Sequence, residues 1–215
     1  MLGYWGEGMF KCPFCNIDKT KIENTILDET DSFFITPSLG SIVEGYILII
    51  SKKHINSMSQ LNKYEMKEYE ELINKYRKVF KSVYNKYPII FEHGTLNTKK
   101  GNKASSVVHS HTHIVNHQYK NEKDLLQELN FKKIDSFNDM DFNNNYIFYI
   151  NPNNEIYITY NFKSISQLMR IEIARDLNLL EKYDWRKNNF NNNVVLTIRN
   201  IENYFNNETK KKVKI

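Results

Sequence analysis

The sequence is short of cysteine, of long apolar runs and of any secretion signal. It has only two cysteines in 215 residues, and no stretch of about 18 consecutive apolar residues, so we expect no membrane-spanning segment. Residues 1–7 lack a basic region followed by a long apolar stretch, which predicts a cytoplasmic protein. Because 40% of the residues are apolar, the chain should still fold into a globular core.

The excess of positive over negative charge is also small. The formal net charge is +5, spread along the chain apart from a lysine-rich tail at residues 210–214. A solvated chain end is the favoured interpretation of this tail, and attraction to nucleic acid is the alternative. The mildly basic balance suits a small anionic substrate, so nucleic acid is not the expected partner, although the tail leaves it open.

Histidine is scarce as well, but three of the six histidines stand in the segment His109-Ser110-His111-Thr112-His113. In a β-strand over residues 107–115, alternate side chains would share one face, about 6.6–6.8 Å apart. Such a row can bind a metal, surround a phosphate or present a nucleophile. Multi-metal hydrolases need carboxylate ligands, and residues 114–117 contain none. Covalent catalysis by a neutral imidazole is therefore favoured, with the middle histidine as the natural nucleophile.

The two cysteines are spaced as Cys-x-x-Cys, at Cys12 and Cys15. In an intracellular chain this spacing suggests a metal site or a redox pair more than a structural disulfide. No βαβ unit opens the fold, which disfavours the redox pair. Two cysteines cannot close a tetrahedral zinc site, and His54 and His109 are candidates for the missing ligands. We therefore expect one structural Zn²⁺ per chain, the alternative being two free thiols in a packed turn.

The hydrophobic pattern predicts an α+β fold. Apolar residues at three- and four-residue steps predict a long helix over residues 59–87, with Asn62 and Glu65 as a capping box. Short apolar segments that can pair with their neighbours favour an antiparallel sheet. Predicted strands cover residues 31–35, 46–50, 89–94, 107–115, 146–150 and 156–160, and shorter helices cover residues 121–130, 164–179 and 194–205. We expect a catalytic domain in residues 1–120, with residues 121–215 forming a hairpin-and-helix extension packed on it.

These motifs resemble the histidine triad (HIT) superfamily, whose members hydrolyse or transfer nucleotides. The resemblance covers Cys12 to Ile17, residues 37–54 and residues 106–115, which match the triad signature. Residues 91–94 and 181–186 are similar to a longer subgroup with a C-terminal extension. The family usually has apolar residues between the histidines, where this chain has Ser110 and Thr112, small residues that suit a strand.

The resemblance implies a role for each candidate residue. His111 would attack the α-phosphorus and form a nucleotidyl-histidine, His113 would bind phosphate oxygens, and Ser106 would contact the leaving group. His109 would order the site, and in zinc-bearing relatives this position ligates zinc together with those of Cys12, Cys15 and His54.

Two further candidate residues each have two interpretations. His93 is either a core or surface histidine or a substrate contact, and Lys103 is either a solvated loop charge or a phosphate ligand. Many nucleotide-binding members carry an acid for the ribose hydroxyls after the second strand, whereas residues 34–37 contain none. The segment Asp184-Trp185-Arg186 is predicted to be a structural corner with Trp185 buried.

The implied function is that of an enzyme, a HIT-type nucleotide phosphohydrolase or transferase. It would cleave a phosphoanhydride or phosphoramidate at an α-phosphate through a covalent nucleotidyl-histidine. The alternative is a non-catalytic module of the same fold that binds a nucleotide or an RNA end, and metal-dependent hydrolysis is a weaker third. Because many relatives dimerise through the long helix, a homodimer is also considered, and the extension could preserve or block that surface.

Overall fold

The computed structural model describes residues 12–95, 107–141, 143–162 and 165–212, and these fold as the predicted α+β protein. The described strands form one eight-stranded sheet in the order β1-β2-β3-β5-β4-β7-β8-β6, antiparallel at every pairing. The strands are β1 Asp28–Glu29, β2 Phe33–Pro37, β3 Tyr46–Ser51, β4 Ile89–Gly94, β5 His111–Val115, β6 Lys132–Ile134, β7 Tyr146–Ile150 and β8 Ile156–Thr159. The helices are α1 Lys63–Tyr84, α2 Glu122–Glu128, α3 Leu168–Asp176 and α4 Asn191–Lys212.

Strand β3 lies between two hydrophobic clusters, one on each face of the sheet. Every residue of β3 is buried, as its continuous apolarity predicts. Ile47 and Ile49 pack in the cluster that includes α1. Leu48 and Ile50 pack in the cluster that includes Met169 of α3. The C-terminal extension therefore covers the second face of the sheet.

Helix α1 begins at the predicted capping box. Asn62 accepts hydrogen bonds from the backbone N–H groups of the first turn, and the Glu65 side chain accepts from the Asn62 N–H. The helix ends at Tyr84 because Asn85 takes a left-handed conformation with φ 56°, a common helix terminator. The prediction of a helix over residues 59–87 was thus too long at both ends. No helix in the described ranges is long and apolar enough to cross a membrane.

The extension adds strands to the same sheet. Strand β7 pairs with β4 from Ile90–Ile150 to Gly94–Tyr146, and the predicted hairpin of β7 and β8 is confirmed. Gly94 is needed here, because a Cβ at this position would lie 2.2 Å from the Tyr146 ring. The structure also adds β6, in a segment predicted to be an irregular connector. The boundary at residue 120 stays a proposal.

The two C-terminal helices differ from the predicted ranges. Helix α3 starts at Leu168 rather than at the predicted residue 164, after Gln167, which has a left-handed backbone with φ 65° and makes no side-chain cap. Helix α4 is longer than the predicted 194–205. Its Phe205 ring contacts that of Tyr76 on α1, with centroids 6.4 Å apart.

Candidate functional site

Two histidines of the triad face a cavity of about 240 Å³. His111 and His113 belong to β5, which is held between β3 and β4 in the middle of the sheet. Their ring centroids lie 4.9 Å apart. His109 is different, because β5 begins only at His111. The predicted strand over residues 107–115 is therefore wrong at its start, and His109 turns towards the cysteines.

The hydrogen bond of His111 determines its tautomer. Its Nδ1 lies 2.6 Å from the backbone oxygen of His109. A carbonyl oxygen only accepts, so Nδ1 carries the proton and Nε2 keeps a free lone pair. Burial lowers the pKa of His111, which favours this neutral form. Phe14 packs beside the ring with centroids 5.3 Å apart. The middle histidine thus has the protonation state that a nucleophile requires.

His113 is held from two sides. Its ring stacks on that of Phe91, with centroids 4.6 Å apart and an interplanar angle of 13°. Its Nδ1 lies 2.9 Å from the Tyr46 hydroxyl. Burial raises the pKa of Tyr46 to about 12, so this hydroxyl keeps its proton and can donate to Nδ1. The Nε2–H of His113 is then available to an anionic group in the cavity.

The four predicted zinc ligands are brought together. The ligand atoms of Cys12, Cys15, His54 and His109 all lie within 4.8 Å of one another. Nδ1 of His109 is 3.4 Å from Cys12 Sγ and 3.6 Å from Cys15 Sγ, and Nδ1 of His54 is 3.1 Å from Cys15 Sγ. Tetrahedral zinc with N and S ligands requires separations of about 3.3–3.8 Å. The donor set therefore fits one zinc ion with little adjustment.

The hydrogen bond made by the other ring nitrogen of His109 supports the same assignment. His109 donates its Nε2–H to the backbone oxygen of Ser51 at 2.7 Å. Because Nε2 carries the proton, Nδ1 presents its lone pair to the two sulfur atoms, as in metal-bound histidines. Burial and the neighbouring Cys12 raise the pKa of the Cys15 thiol to about 11. A bound metal would have to displace that proton.

Glu92 is buried behind the triad strand, and no pattern in the sequence indicates its role. Its carboxylate accepts hydrogen bonds from Ser110 Oγ at 2.9 Å, Tyr146 Oη at 2.6 Å and the Met58 N–H at 2.9 Å. The other residue between the histidines, Thr112, bonds Tyr69 Oη at 2.7 Å. Ser110 and Thr112 therefore anchor β5 from its rear face, which explains why polar residues are accepted there.

Replacing Glu92 with Gln should flatten the pH dependence of stability. Burial raises the pKa of Glu92 to about 7, whereas an unfolded glutamate titrates at about 4.3. Between these values the folded state binds more protons, so this group's contribution to the free energy of unfolding falls as pH rises through the window. Urea unfolding at pH 5 and pH 8 measures the effect. Between pH 5 and pH 8, the free energy of unfolding should fall less in the variant than in wild type.

The exposed Glu128, on α2, provides the control. A Glu128→Gln variant should keep the wild-type difference between pH 5 and pH 8. Identical pH dependence in Glu92→Gln and wild type would show that Glu92 does not titrate in this range.

The extension supplies a wall of the cavity. This wall contains Gln167, Met169, Arg170 and Trp185. The segment around Trp185 forms the predicted corner, with the Lys187 N–H bonded to the Asp184 oxygen. The predicted burial of Trp185 is wrong, because its side chain is half-buried and lines the cavity. No local pattern in the sequence connects these residues with the triad.

Of the remaining candidates, His93 also lines the cavity. Its Nε2 is buried with no hydrogen-bond partner among the described residues, and its substrate role stays a prediction. Ser106 and Lys103 lie outside the described residues. Residues 34–37 supply no acid, but Glu23, from the turn at Ile22–Asn24, lines the same cavity.

Part of the chain is similar to known proteins. A family model described as HIT domain matches residues 19–119, and no curated protein matches the sequence. Three similar solved structures share 16–21% identity with this chain. A Hit-like protein involved in cell-cycle regulation from Bartonella henselae is 16% identical, with a TM-score of 0.35 over 42% of this chain and 63% of that one.

Two further solved structures are similar over about half of the chain. A Zn-bound histidine triad family protein from Mycobacterium smegmatis is 16% identical, with a TM-score of 0.42 over 54% of this chain and 81% of that one. A HIT family hydrolase from Clostridium thermocellum is 21% identical, with a TM-score of 0.37 over 50% of this chain and 91% of that one. Residues 19–119 therefore match a HIT domain, and they contain the triad, with His111 and His113 on β5 and His109 just before that strand.

Proposed function

We propose that this protein is a nucleotide phosphohydrolase or nucleotidyltransferase that works through a nucleotidyl-histidine. The observation that carries the proposal is the tautomer of His111, whose Nδ1–H is held by the His109 carbonyl while Nε2 is free beside the cavity. The lone pair of Nε2 attacks the α-phosphorus, a P–N bond forms, and the bond from phosphorus to the leaving group breaks. The leaving group takes up a proton from solvent, and water or another acceptor then attacks the phosphorus, which breaks the P–N bond and releases the neutral His111 imidazole.

The neighbouring residues have separate tasks in this reaction. His113, held by Tyr46 and Phe91, donates Nε2–H to a non-bridging phosphate oxygen, where negative charge must be stabilised. Ser106 is proposed to contact the leaving group, and His93 and Lys103 to contact the substrate. His109 acts through the backbone, because its carbonyl oxygen orients His111 while its ring belongs to the zinc cluster.

Zinc is proposed as a structural ion held by Cys12, Cys15, His54 and His109. When bound, it supplies a cross-link between the N-terminal turn, the segment after β3 and the residue that orients His111. No carboxylate belongs to this ligand cluster among the described residues, and a closed set of four protein ligands is typical of structural rather than catalytic zinc.

A substrate panel tests the proposal directly. Purified protein is incubated with dinucleoside polyphosphates and with nucleotide phosphoramidates, and release of nucleoside monophosphate is measured. We expect turnover of at least one class, and this turnover should survive brief chelation because zinc does not touch the substrate. Tight binding without turnover across the panel would favour a non-catalytic module, and loss of activity within seconds of chelation would favour metal-dependent hydrolysis.

Three further properties stay predictions. A cytoplasmic location was predicted from residues 1–7, and nucleic acid was considered an unexpected partner that the basic tail leaves open. A homodimer through the long helix stays a prediction as well, and the extension occupies part of that surface, because Phe205 of α4 contacts Tyr76 of α1.

A further inference from the structure

Arg170 is a buried cation on the wall that the extension contributes to the cavity. The residue is 5% exposed and lines the cavity together with His111 and His113. Its guanidinium donates through Nε to the backbone oxygen of Tyr183 and through Nη2 to that of Gly40. These two bonds fix its position between the extension and the loop after β2.

No carboxylate forms an ion pair with Arg170 in the described part of the chain. Asp184 is near enough to influence its charge, but that carboxylate accepts hydrogen bonds from Gln167 and Arg186 instead. A buried charge without a counter-ion is costly. An anion bound beside the guanidinium would reduce this free-energy cost.

Arg77 shows that the burial of an arginine is not by itself evidence for anion binding. It is 6% exposed and donates to the backbone oxygens of Asn151 and Pro152, so it resembles Arg170 in burial and bonding. However, Arg77 does not line the cavity. What distinguishes Arg170 is its place beside the triad, which makes Arg77 a matched control.

The histidines of the cavity do not supply positive charge. Burial lowers the pKa of His93 to about 3 and that of His113 well below its usual range, so both are neutral at pH 7. The other cation that lines the cavity among the described residues is Lys21, which is exposed. Arg170 is therefore the buried, permanently charged group available to a phosphate.

We propose that Arg170 binds the phosphate group of the nucleotide, so that the C-terminal extension completes the anion site of the HIT domain. This inference rests on the proposed function and extends it to a residue outside residues 19–119. Arg170 also lies over the Tyr46 ring, 5.9 Å from its centroid, and Tyr46 bonds Nδ1 of His113. A phosphate at this position would meet the guanidinium and the His113 Nε2–H together.

Calorimetry on the full chain tests the inference by comparing each common nucleoside 5′-monophosphate with its own nucleoside. In wild type, at least one monophosphate should bind about 10- to 100-fold more tightly than its nucleoside. Arg170→Met should bring this ratio close to one without changing the affinity for the nucleoside. Arg170→Lys should give an intermediate ratio, because it keeps the charge and loses the planar fork.

Arg77→Met is the control: it should lower stability and keep the wild-type ratio. If Arg170→Met does not fold, NMR of wild type tests the inference instead. The Arg170 Nε–H resonance should shift when the monophosphate is added and stay in place when the nucleoside is added. A wild-type ratio near one, an unchanged ratio in Arg170→Met, or an unmoved resonance would overturn the inference. These outcomes concern phosphate binding alone, whereas failure of the proposed function would appear as absent turnover despite a normal ratio.

Discussion

Replacing His111 with Ala should lower kcat by about three orders of magnitude or more, because no other described residue of the cavity holds an imidazole nitrogen in the same orientation. The covalent intermediate should disappear as well. Wild type mixed with substrate and quenched at alkaline pH should gain the mass of one nucleotidyl group, since phosphoramidates are labile to acid. The variant should gain none.

The fold and the zinc content of this variant should be unchanged, because His111 is not one of the clustered ligands. His117→Gln is the matched control, since His117 lies outside the cavity and faces Asp176 across 3.3 Å. It should retain both turnover and the adduct. An unchanged rate in His111→Ala would contradict the nucleotidyl-histidine mechanism.

Loss of zinc should be the largest effect on stability. Purified protein kept under reducing conditions should contain about one zinc per chain. Cys15→Ser should release the ion and lower the free energy of unfolding, by about 4 kcal/mol where free zinc is 1,000 times the Kd of wild type. The reason is that three separate segments lose their shared cross-link. Elemental analysis and thermal unfolding with and without chelator provide the measurements.

The His111→Ala variant doubles as the control here, because it alters the cavity and leaves the ligand set complete. Its melting temperature should fall on chelation as much as that of wild type. Substantially less than one zinc per chain, or a melting temperature that chelator does not change, would instead support two free thiols in a packed turn.

Features encoded by local spacing were predicted well. The Asn62 capping box, the buried strand β3 and the β7–β8 hairpin follow from neighbouring residues and occur as predicted. Errors came where backbone conformation overrode the pattern. Left-handed residues at Asn85 and Gln167 set the ends of α1 and α3, and periodicity does not report such angles.

The ligand cluster was predicted from chemistry rather than from contact. Two cysteines require two more ligands to complete a tetrahedral zinc site. Because the chain has only six histidines, few residues could supply them. The anchoring of β5 could not be found in this way, because Glu92 looks like any other glutamate until Ser110 and Tyr146 are seen around it.

The sequence by itself determined that this protein has a histidine triad, a Cys-x-x-Cys and an antiparallel α+β fold, because residue type and short spacing suffice for each. Only the tertiary structure decided the tautomers of His109 and His111, because a tautomer depends on partners such as the carbonyls of Ser51 and His109. It also decided that Arg170 and Trp185 line the cavity of the triad. Their approach depends on β7 continuing the sheet from β4, a long-range pairing that no local pattern specifies.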